Sequence, residues 1–428
     1  MGFSSLGLHV SLAEIVTDLG YSLPTSVQAE SIPSILAGKD VMVGAQTGTG
    51  KTAAFALPIL HQLIDIEPAS LANGVSAPRV LVLAPTRELA QQVHKSFQQY
   101  SSNLQLISEI VYGGVSLNTQ IKFLSDENKP IDILIATPGR LLDLVFKKAV
   151  SLKSVQFLVF DEADRMLDMG FSVDINRILK QLPSKQKRQT LLFSATFDDA
   201  IFRLSKDLQN NPELIEVDAR NMAASTVEQM IYIVDEDRKR ELTSYLIGSK
   251  NWQQVLIFTR TKQVADELAA EMIKDGIKTL AIHGDKTQGA RERALAEFKE
   301  GQIRALVATD VAARGLDIQK LQYVINYELP YVPEDYIHRI GRTGRAGDVG
   351  IAISLCSLSE EYLLEEIEAL LDSKLPQQWL PGYEPDPTKP IKQPKKNSRT
   401  AQKQRSKKRA YGKRTANTRS ANSSRHRK

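Results

Sequence analysis

A glycine-rich segment with the residue types needed to hold a phosphate group lies at residues 45–52, Ala45-Gln46-Thr47-Gly48-Thr49-Gly50-Lys51-Thr52. Gly48 and Gly50 allow a tight backbone curve whose N–H groups converge on one point. A helix starting near Lys51 would direct its positive end to that point, and the Lys51 ammonium could reach the outer phosphates. The Thr52 hydroxyl is suited to bind Mg²⁺. The alternative is a plain glycine-rich turn, but the apolar run before the segment and the helix-like pattern after it favour phosphate binding.

A second polar cluster, Asp161-Glu162-Ala163-Asp164, directly follows the apolar run at residues 157–160. Three carboxylates beside a buried strand repel one another strongly unless a cation lies among them. Asp161, at the end of the run, could hold Mg²⁺, and Glu162 could orient or deprotonate a water molecule. An acidic surface turn is the alternative. With the phosphate-binding segment in the same chain, the cluster favours hydrolysis of a nucleotide phosphate.

Both clusters follow short apolar runs that alternate with longer amphipathic segments, the pattern of buried parallel strands connected by helices. The sequence therefore predicts an α/β fold with doubly wound parallel sheets, in which ligands bind beyond the carboxyl ends of the strands. The runs are residues 40–43, 80–83, 131–135, 157–160, 191–193, 255–258, 279–282, 305–308, 323–325 and 351–353. They divide into two groups at a segment without apolar periodicity. We predict domain one at residues 1–216, a hinge at 217–226, domain two at 227–375 and a proline-punctuated exit with a tail at 376–428.

Several segments resemble motifs of the DEAD-box ATP-dependent RNA helicase family, which is named after the one-letter sequence found here at residues 161–164. Residues 20–28, with the upstream Phe3, resemble the Q motif, residues 308–317 resemble motif V, and residues 338–345 resemble motif VI. Ala45 stands where many phosphate loops have glycine, a form that is familiar in helicases. The resemblance covers roughly residues 3–375 and is greatest to the bacterial RhlE-type branch. It implies two tandem RecA-like domains.

The resemblance also implies roles for individual residues, with ATP and Mg²⁺ as the cofactors. In the family the Q-motif glutamine, here Gln28, forms hydrogen bonds with the edge of the adenine base. The aromatic residues, here Phe3 and Tyr21, pack against the face of that base. Gly315 and Asp317 would contact the nucleotide from domain two. Arg342 and Arg345 would reach the γ-phosphate, where a guanidinium suits the charge that develops during phosphoryl transfer. Four residues would couple hydrolysis to strand separation: Asp164, Ser194, Thr196 and His338.

A further set of residues matches the family motifs that contact RNA. Backbone N–H groups beside glycine, hydroxyls and arginine suit a sugar-phosphate chain rather than base edges. We therefore expect sequence-tolerant binding of single-stranded RNA or short duplexes, with the 2′-hydroxyl favouring RNA. The expected contacts are Pro85, Thr86, Arg87, Gly113, Gly114, Thr137, Pro138, Gly139, Arg140, Thr259, Arg291, Thr309 and Asp310. An ATP-gated RNA clamp without useful unwinding and a DNA translocase are the alternative functions.

The net charge of +5 conceals a strongly basic end. Residues 388–428 contain 16 Lys and Arg and no acidic residue, whereas the other 387 residues hold 39 basic and 50 acidic side chains, a net charge of −11. We expect this tail to be disordered and to bind RNA by counterion release. The single cysteine, Cys356, suits a reducing compartment. Together with the absence of a secretory leader and of any membrane-length apolar run, it leads us to expect a cytoplasmic protein without membrane contact. We also expect a monomer. Its partners would include components of ribosomal precursors or the RNA degradosome.

Overall fold

The computed structural model describes residues 2–45, 49–64, 66, 75–126, 129–216, 227–313, 318, 321–344 and 350–389. In these ranges the strands form two sheets. The first sheet contains β1 (Val41–Gly44), β2 (Val80–Leu83), β3 (Ser108–Val111), β4 (Ile133–Ala136), β5 (Phe157–Phe160), β6 (Gln189–Ser194) and β7 (Glu213–Glu216). The second contains β8 (Val227–Ile233), β9 (Val255–Thr259), β10 (Thr279–Ile282), β11 (Ala305–Thr309), β12 (Tyr323–Asn326), β13 (Gly350–Cys356) and β14 (Gln377–Gln378).

All of the described strand pairs are parallel, and each sheet has seven strands. The strand order is β3-β4-β2-β5-β6-β1-β7 in the first sheet and β10-β11-β9-β12-β13-β8-β14 in the second. The register is fixed by pairs such as Val43 with Phe193 between β1 and β6, and Ile257 with Val307 between β9 and β11. The prediction of two RecA-like α/β domains with parallel sheets is confirmed.

Helices connect most successive strands and cover the sheets. In the first domain they are α1 (Val10–Asp18), α2 (Ser26–Leu36), α3 (Lys51–Ile64), α4 (Arg87–Tyr100), α5 (Leu117–Leu124), α6 (Pro138–Phe146), α7 (Ala163–Asp168), α8 (Ser172–Leu179) and α9 (Asp199–Leu208). In the second they are α10 (Lys239–Ser249), α11 (Lys262–Lys274), α12 (Gln288–Lys299), α13 (Asp310–Ala313), α14 (Pro333–Ile340) and α15 (Glu361–Leu371). Short 3-10 helices are at Phe3–Leu6, Lys185–Lys187, Glu236–Arg238 and Leu358–Glu360.

The central strands are buried on both faces, as the continuous apolar runs predicted. Every residue of β2, β4 and β5 is buried, because helices cover both faces of the sheet. Several helices begin at a threonine one to three residues beyond a strand. The side chains of Thr86 and Thr261, for example, accept hydrogen bonds from the N–H groups of Leu89 and Val264. This capping starts each helix at the carboxyl edge of its sheet, the edge where parallel sheets bind ligands.

The second domain continues beyond residue 375, where the sequence analysis ended it. β14 pairs with β8, so that Gln377 lies opposite Ile231. Tyr383 packs beneath the Arg238 guanidinium at 4.6 Å from the ring centre, and Lys389 forms an ion pair with Asp235 at 3.0 Å. We therefore propose that domain two extends through Lys389. The predicted hinge at residues 217–226 and the tail from residue 390 lie outside the described residues.

No helix in the described part of the chain is both long enough and apolar enough to cross a membrane.

Candidate active site

The segment predicted to bind phosphate connects β1 to α3, and the structure describes both of its ends. Residues 46–48 lie outside the described residues. The Ala45 N–H donates to the Ser194 carbonyl at 2.9 Å, which fixes the start of the loop against β6. Gly50 has a φ of +88°, a conformation that strongly favours glycine. Lys51 begins α3 and is only 6% exposed, and its Nζ has no hydrogen-bond partner among the described residues.

Gln28 holds the far end of this loop against the start of α2. Its Nε2 donates to the Gly50 carbonyl at 3.2 Å, and its Oε1 accepts from the Thr25 N–H at 3.0 Å. The Thr25 hydroxyl donates to the Thr49 carbonyl at 2.8 Å. Gln28 is 1% exposed, so its amide connects the two segments from the interior of the site. Its expected contact with adenine stays a prediction.

The aromatic residues expected near the adenine base lie together. Tyr21 is 40% exposed and meets the buried ring of Phe3 edge to face, with 6.4 Å between the ring centres. Tyr100, at the end of α4, also contacts Tyr21, with 3.3 Å between the two tyrosine hydroxyl oxygens. The sequence analysis did not single out Tyr100, because nothing in the local sequence distinguishes it from an ordinary residue of an amphipathic helix. Burial raises the pKa of Tyr100, so this hydroxyl stays protonated beside Tyr21.

The acidic cluster lies at the carboxyl end of β5. The Asp161 N–H donates to the Leu83 carbonyl at 3.0 Å, and Asp161 and Glu162 are 2% and 7% exposed. Glu162 has a φ of +56°, a left-handed conformation that is strained for a residue with a side chain and is often found at functional sites. Burial raises the pKa of Asp161 to about 6; the charges of Glu162 and Asp164 add to this effect, and that of Lys51 opposes it. One oxygen each of Asp161 and Glu162 has no hydrogen-bond partner in the described structure.

Asp164, the last residue of the cluster, bonds to the segment that follows β6. Its Oδ2 accepts from the Ala195 N–H at 3.0 Å and lies 3.4 Å from the Thr196 hydroxyl. Within that segment the Ser194 hydroxyl donates to the Thr196 carbonyl at 2.7 Å. The structure thus brings together the three domain-one residues that were expected to couple hydrolysis to strand separation.

Of the domain-two residues expected to contact the nucleotide or to couple hydrolysis to strand separation, the structure describes His338 and Arg342. His338 lies on α14 and contacts Arg165 of domain one, while Arg342 follows α14 and is 5% exposed. Gly315, Asp317 and Arg345 lie outside the described residues. Burial and the Arg165 charge lower the pKa of His338. Burial raises the pKa of Asp164, but its neighbours His338, Arg165 and Lys51 outweigh this effect and hold that pKa below its ordinary value.

Residues expected on the RNA track also join the two domains along one side of the cleft. Arg87 Nη1 donates to Gln288 Oε1 at 3.3 Å, and Arg291 Nη2 lies 2.7 Å from Glu88 Oε1. Burial lowers the pKa of Arg291, and the Glu88 charge opposes this shift. A Cβ atom at Gly114 would lie 2.2 Å from Arg87 Nη1, so this glycine allows the guanidinium to approach the backbone. The two arginines therefore contact protein across the cleft, and their contact with RNA stays a prediction.

The remaining expected RNA contacts differ in accessibility. Thr259 and Thr309 are buried, and Asp310 forms an ion pair with Arg339 at 2.6 Å. Arg140 donates to Gln120 at 2.6 Å. Gly114 is exposed and Gly113 and Gly139 are half-buried, whereas the buried positions are Pro85, Thr86, Thr137 and Pro138. Gly114 is thus the most accessible residue of the predicted track.

Two family models match the chain on the two sides of the predicted hinge. Residues 25–204 match the model described as DEAD/DEAH box helicase, and residues 237–347 match the Helicase conserved C-terminal domain. These ranges contain the acidic cluster with its phosphate-binding loop and the arginine-rich segment after α14.

Curated relatives of similar length are ATP-dependent RNA helicases named RhlB. The chain is 42% identical over 373 residues to RhlB of Pseudomonas syringae, and the aligned region covers 87% of this chain and 93% of the relative. RhlB of Pseudomonas aeruginosa is also 42% identical over 373 residues, with the same coverage. The narrower resemblance to the RhlE-type branch stays a prediction.

Among solved structures, the chain is similar to S. cerevisiae Dbp5 bound to RNA and ADP BeF3, with a TM-score of 0.77 and 30% identity over 88% of this chain and 95% of Dbp5. A single-residue variant of Dbp5, bound to Nup159, a Gle1 variant, IP6 and ADP, gives a TM-score of 0.61 at 29% identity, over 87% of this chain and 96% of that one. By its domain matches, its relatives and its structure, the chain belongs to the DEAD-box family of ATP-dependent RNA helicases.

Proposed function

We propose that this helicase hydrolyses ATP at the carboxyl edge of the first sheet, with Glu162 activating the attacking water and Lys51 binding the outer phosphates. The observation that carries the proposal is the set of buried polar atoms there. Lys51 Nζ, one Asp161 oxygen and one Glu162 oxygen are buried without hydrogen-bond partners in the described structure. Unsatisfied buried polar groups are costly, so their concentration at one edge favours a polar ligand there.

The residues present also fit a magnesium ion. Asp161 supplies a carboxylate and Thr52 a hydroxyl, the oxygen ligands that Mg²⁺ prefers. The described residues contain no group of three or more metal-binding side chains. Mg²⁺ is commonly held by one or two carboxylates together with substrate phosphates and water, so Asp161 and Thr52 would be sufficient protein ligands. The ion would neutralise part of the phosphate charge. Gln28, Phe3 and Tyr21 would bind the adenine, and residues 45–52 would surround the phosphates.

Domain two would complete this site. We propose that Arg342 and Arg345 approach the γ-phosphate, with Gly315 and Asp317 contacting the nucleotide from the same side. Fixed positive charges in such positions accelerate phosphoryl transfer by roughly 10³- to 10⁵-fold in related enzymes. The support is the membership of the family together with the burial of Arg342 beside α14. Asp164, Ser194, Thr196 and His338 would transmit the state of the nucleotide to the rest of the cleft.

The proposed cycle uses closure of the cleft between the domains. ATP and single-stranded RNA together bring the domains to each other, and closure bends one strand so that a short duplex opens locally. Hydrolysis then reopens the cleft and releases the RNA. The contacts of Glu88 with Arg291 and of Arg165 with Asp335 support a closed arrangement in which both domains contribute. The hinge at residues 217–226 would permit this motion, and the tail would hold RNA nearby.

We propose that the physiological role lies in ribosome assembly or RNA decay, because the predicted RNA track is sequence-tolerant. We further propose that the protein acts in the cytoplasm as a monomer.

The test is RNA-stimulated ATPase activity of Glu162→Gln, which keeps the shape of the side chain but removes its basicity. We expect turnover to fall by at least about 100-fold, the usual range for a general base, while binding of a fluorescent ATP analogue is retained. Glu30→Gln, on the exposed surface of α2, is the matched control and should behave as wild type. Turnover of Glu162→Gln near the wild-type rate would contradict the role of Glu162. Strand release compared between ATP and a non-hydrolysable analogue would then measure how far unwinding depends on hydrolysis.

A further inference from the structure

Arg165, the residue directly after the acidic cluster, crosses the cleft between the domains. It lies on the first turn of α7 and is 4% exposed. Its Nη1 donates to Asp335 Oδ1 at 2.9 Å, and its Nη2 donates to His338 Nδ1 at 2.5 Å. Both partners are on α14 of domain two, 170 and 173 residues away along the chain. One guanidinium therefore joins the acidic cluster to the helix that precedes Arg342.

The pairing with His338 defines the form of that imidazole. A guanidinium can only donate hydrogen bonds, so His338 Nδ1 must accept, and the neutral ring then carries its proton on Nε2. The carboxylate of Asp335 lies 3.9 Å from the same Nδ1 and balances the guanidinium charge. The other charges near the ring are those of Asp164 and Glu162. Arg165 thereby holds both the orientation and the tautomer of His338.

Among the described residues, the close counter-charge of Arg165 comes from domain two. Within its own domain the nearest carboxylate is Asp168, whose Oδ2 is 3.8 Å away and whose side chain is 60% exposed. Asp335, by contrast, is 2.9 Å away with a side chain that is 11% exposed. A partly desolvated ion pair of this kind is worth more than an exposed one at the same helix surface. The favourable contact therefore exists only while the two domains are close together.

Arg165 and its partners line a cleft of about 1170 Å³ between the domains, together with residues such as Asp168 and Tyr331. Because the cleft is this large, water can reach the guanidinium once α7 and α14 separate. Opening thus exchanges the ion pair for hydration, so that the contact can form and break without leaving a buried unpaired charge. These properties are those of a reversible contact between domains.

We propose that Arg165 is a positioning residue that stabilises the closed, RNA-gripping arrangement by joining the acidic cluster to Asp335 and His338 of domain two. The proposal rests on the closure cycle proposed above and adds to it a specific cross-domain contact. It predicts that Arg165 contributes to RNA affinity when an ATP analogue closes the cleft and contributes little when ADP leaves it open. It also predicts little effect on nucleotide binding to domain one.

The experiment measures RNA affinity of the full chain, by fluorescence anisotropy with a labelled single strand, in the presence of ADP-BeF₃ and of ADP. Arg165→Met, which keeps most of the apolar stem, should lose about 10- to 100-fold in affinity with ADP-BeF₃, the range for loss of hydrogen bonds to charged groups. With ADP its affinity should stay within about 3-fold of wild type. Arg165→Lys keeps the charge but not the planar fork that serves two acceptors, so it should lose an intermediate amount. Arg177→Met is the matched control, since the Arg177 side chain is 59% exposed and its ion pair among the described residues is with Asp174 of the same helix, α8.

The pairwise contact is isolated by a double-mutant cycle with Asp335→Asn. If Arg165 acts through Asp335, the double variant should lose much less than the product of the two single losses. Equal losses in both nucleotide states, multiplicative losses in the cycle, or an Arg165→Met variant that matches wild type with ADP-BeF₃ would each overturn the proposal. A thermal unfolding midpoint close to that of wild type excludes a folding defect. Since the binding assay requires no hydrolysis, failure here is distinguishable from failure of the role assigned to Glu162.

Discussion

Gly50→Ala tests how the phosphate-binding loop depends on its backbone. Gly50 has a φ of +88°, and a Cβ atom there would lie 2.4 Å from Gln28 Nε2. A non-glycine residue in this left-handed region costs about 1–2 kcal/mol. Gln28 is 1% exposed and held by Thr25 and Gly50, so its amide cannot move aside without losing hydrogen bonds.

The size of the effect follows from these two contributions. Displacing Gln28 breaks its bonds to the Thr25 N–H and the Gly50 carbonyl, each worth about 0.5–1.5 kcal/mol. Together with the backbone strain this gives about 2–5 kcal/mol for holding the loop in the conformation described here, or roughly a 30- to 4000-fold loss of ATP affinity. We expect this free energy to appear as weaker ATP binding, because the substituted loop can relax when no phosphate is present.

The assay is titration of a fluorescent ATP analogue, with thermal unfolding measured in parallel. Gly38→Ala is the matched control, because Gly38 has a φ of +76° but a Cβ atom there would have nothing within 4 Å. It should lower the stability by about 1–2 kcal/mol without a clash and leave ATP affinity unchanged. Gln28→Ala removes the obstructing amide, so its combination with Gly50→Ala should weaken binding by less than the product of the single effects. ATP affinity of Gly50→Ala within about 3-fold of wild type would refute the reasoning.

Three further predictions concern stability, reactivity and RNA binding. Glu360→Gln removes the counter-charge of Lys239, which is 1% exposed, and should lower the free energy of unfolding by about 3–5 kcal/mol. The control is Glu213→Gln in the exposed pair with Lys39, which should lower it by at most about 1 kcal/mol. Both values are measured by denaturant titration. Burial raises the pKa of the Cys356 thiol to about 12, so it should resist iodoacetamide at pH 8 until the protein is denatured. Because the thiol ionises more readily in the unfolded chain, the folded protein keeps its full stability below the unfolded pKa of about 8.5 and loses stability as the pH rises towards 12. A native thiol that reacts at the denatured rate would contradict its burial. Deleting residues 390–428 keeps the packed segment through Lys389. The deletion should weaken RNA binding and flatten its salt dependence, while ATPase activity at saturating RNA survives. An unchanged dependence of RNA affinity on salt would count against electrostatic binding by the tail.

The central strands could be predicted from sequence because they are buried on both faces and therefore read as continuous apolar runs. Residues 80–83 and 157–160 coincide with β2 and β5. The strands that were missed, β3, β7, β8 and β14, lie at or next to an edge of their sheets. In β7 only Ile215 is buried, and β14 consists of two exposed glutamines, so neither contains an apolar run. Edge strands are defined by their neighbour in the sheet, which a local pattern does not contain.

By itself the sequence predicted the chemistry of the domain-one half of the site. The order of Lys51, Thr52, Asp161 and Glu162 after apolar runs was sufficient to predict phosphate binding and hydrolysis, since parallel strands present their carboxyl ends at one edge. Only the tertiary structure decided which residues meet across the cleft. Arg165 and Asp335 are 170 residues apart, and Arg165 has no motif that would distinguish it from an ordinary helical surface residue. Their contact exists because two separately folded domains face each other, and that arrangement depends on packing and closure that no single stretch of sequence encodes.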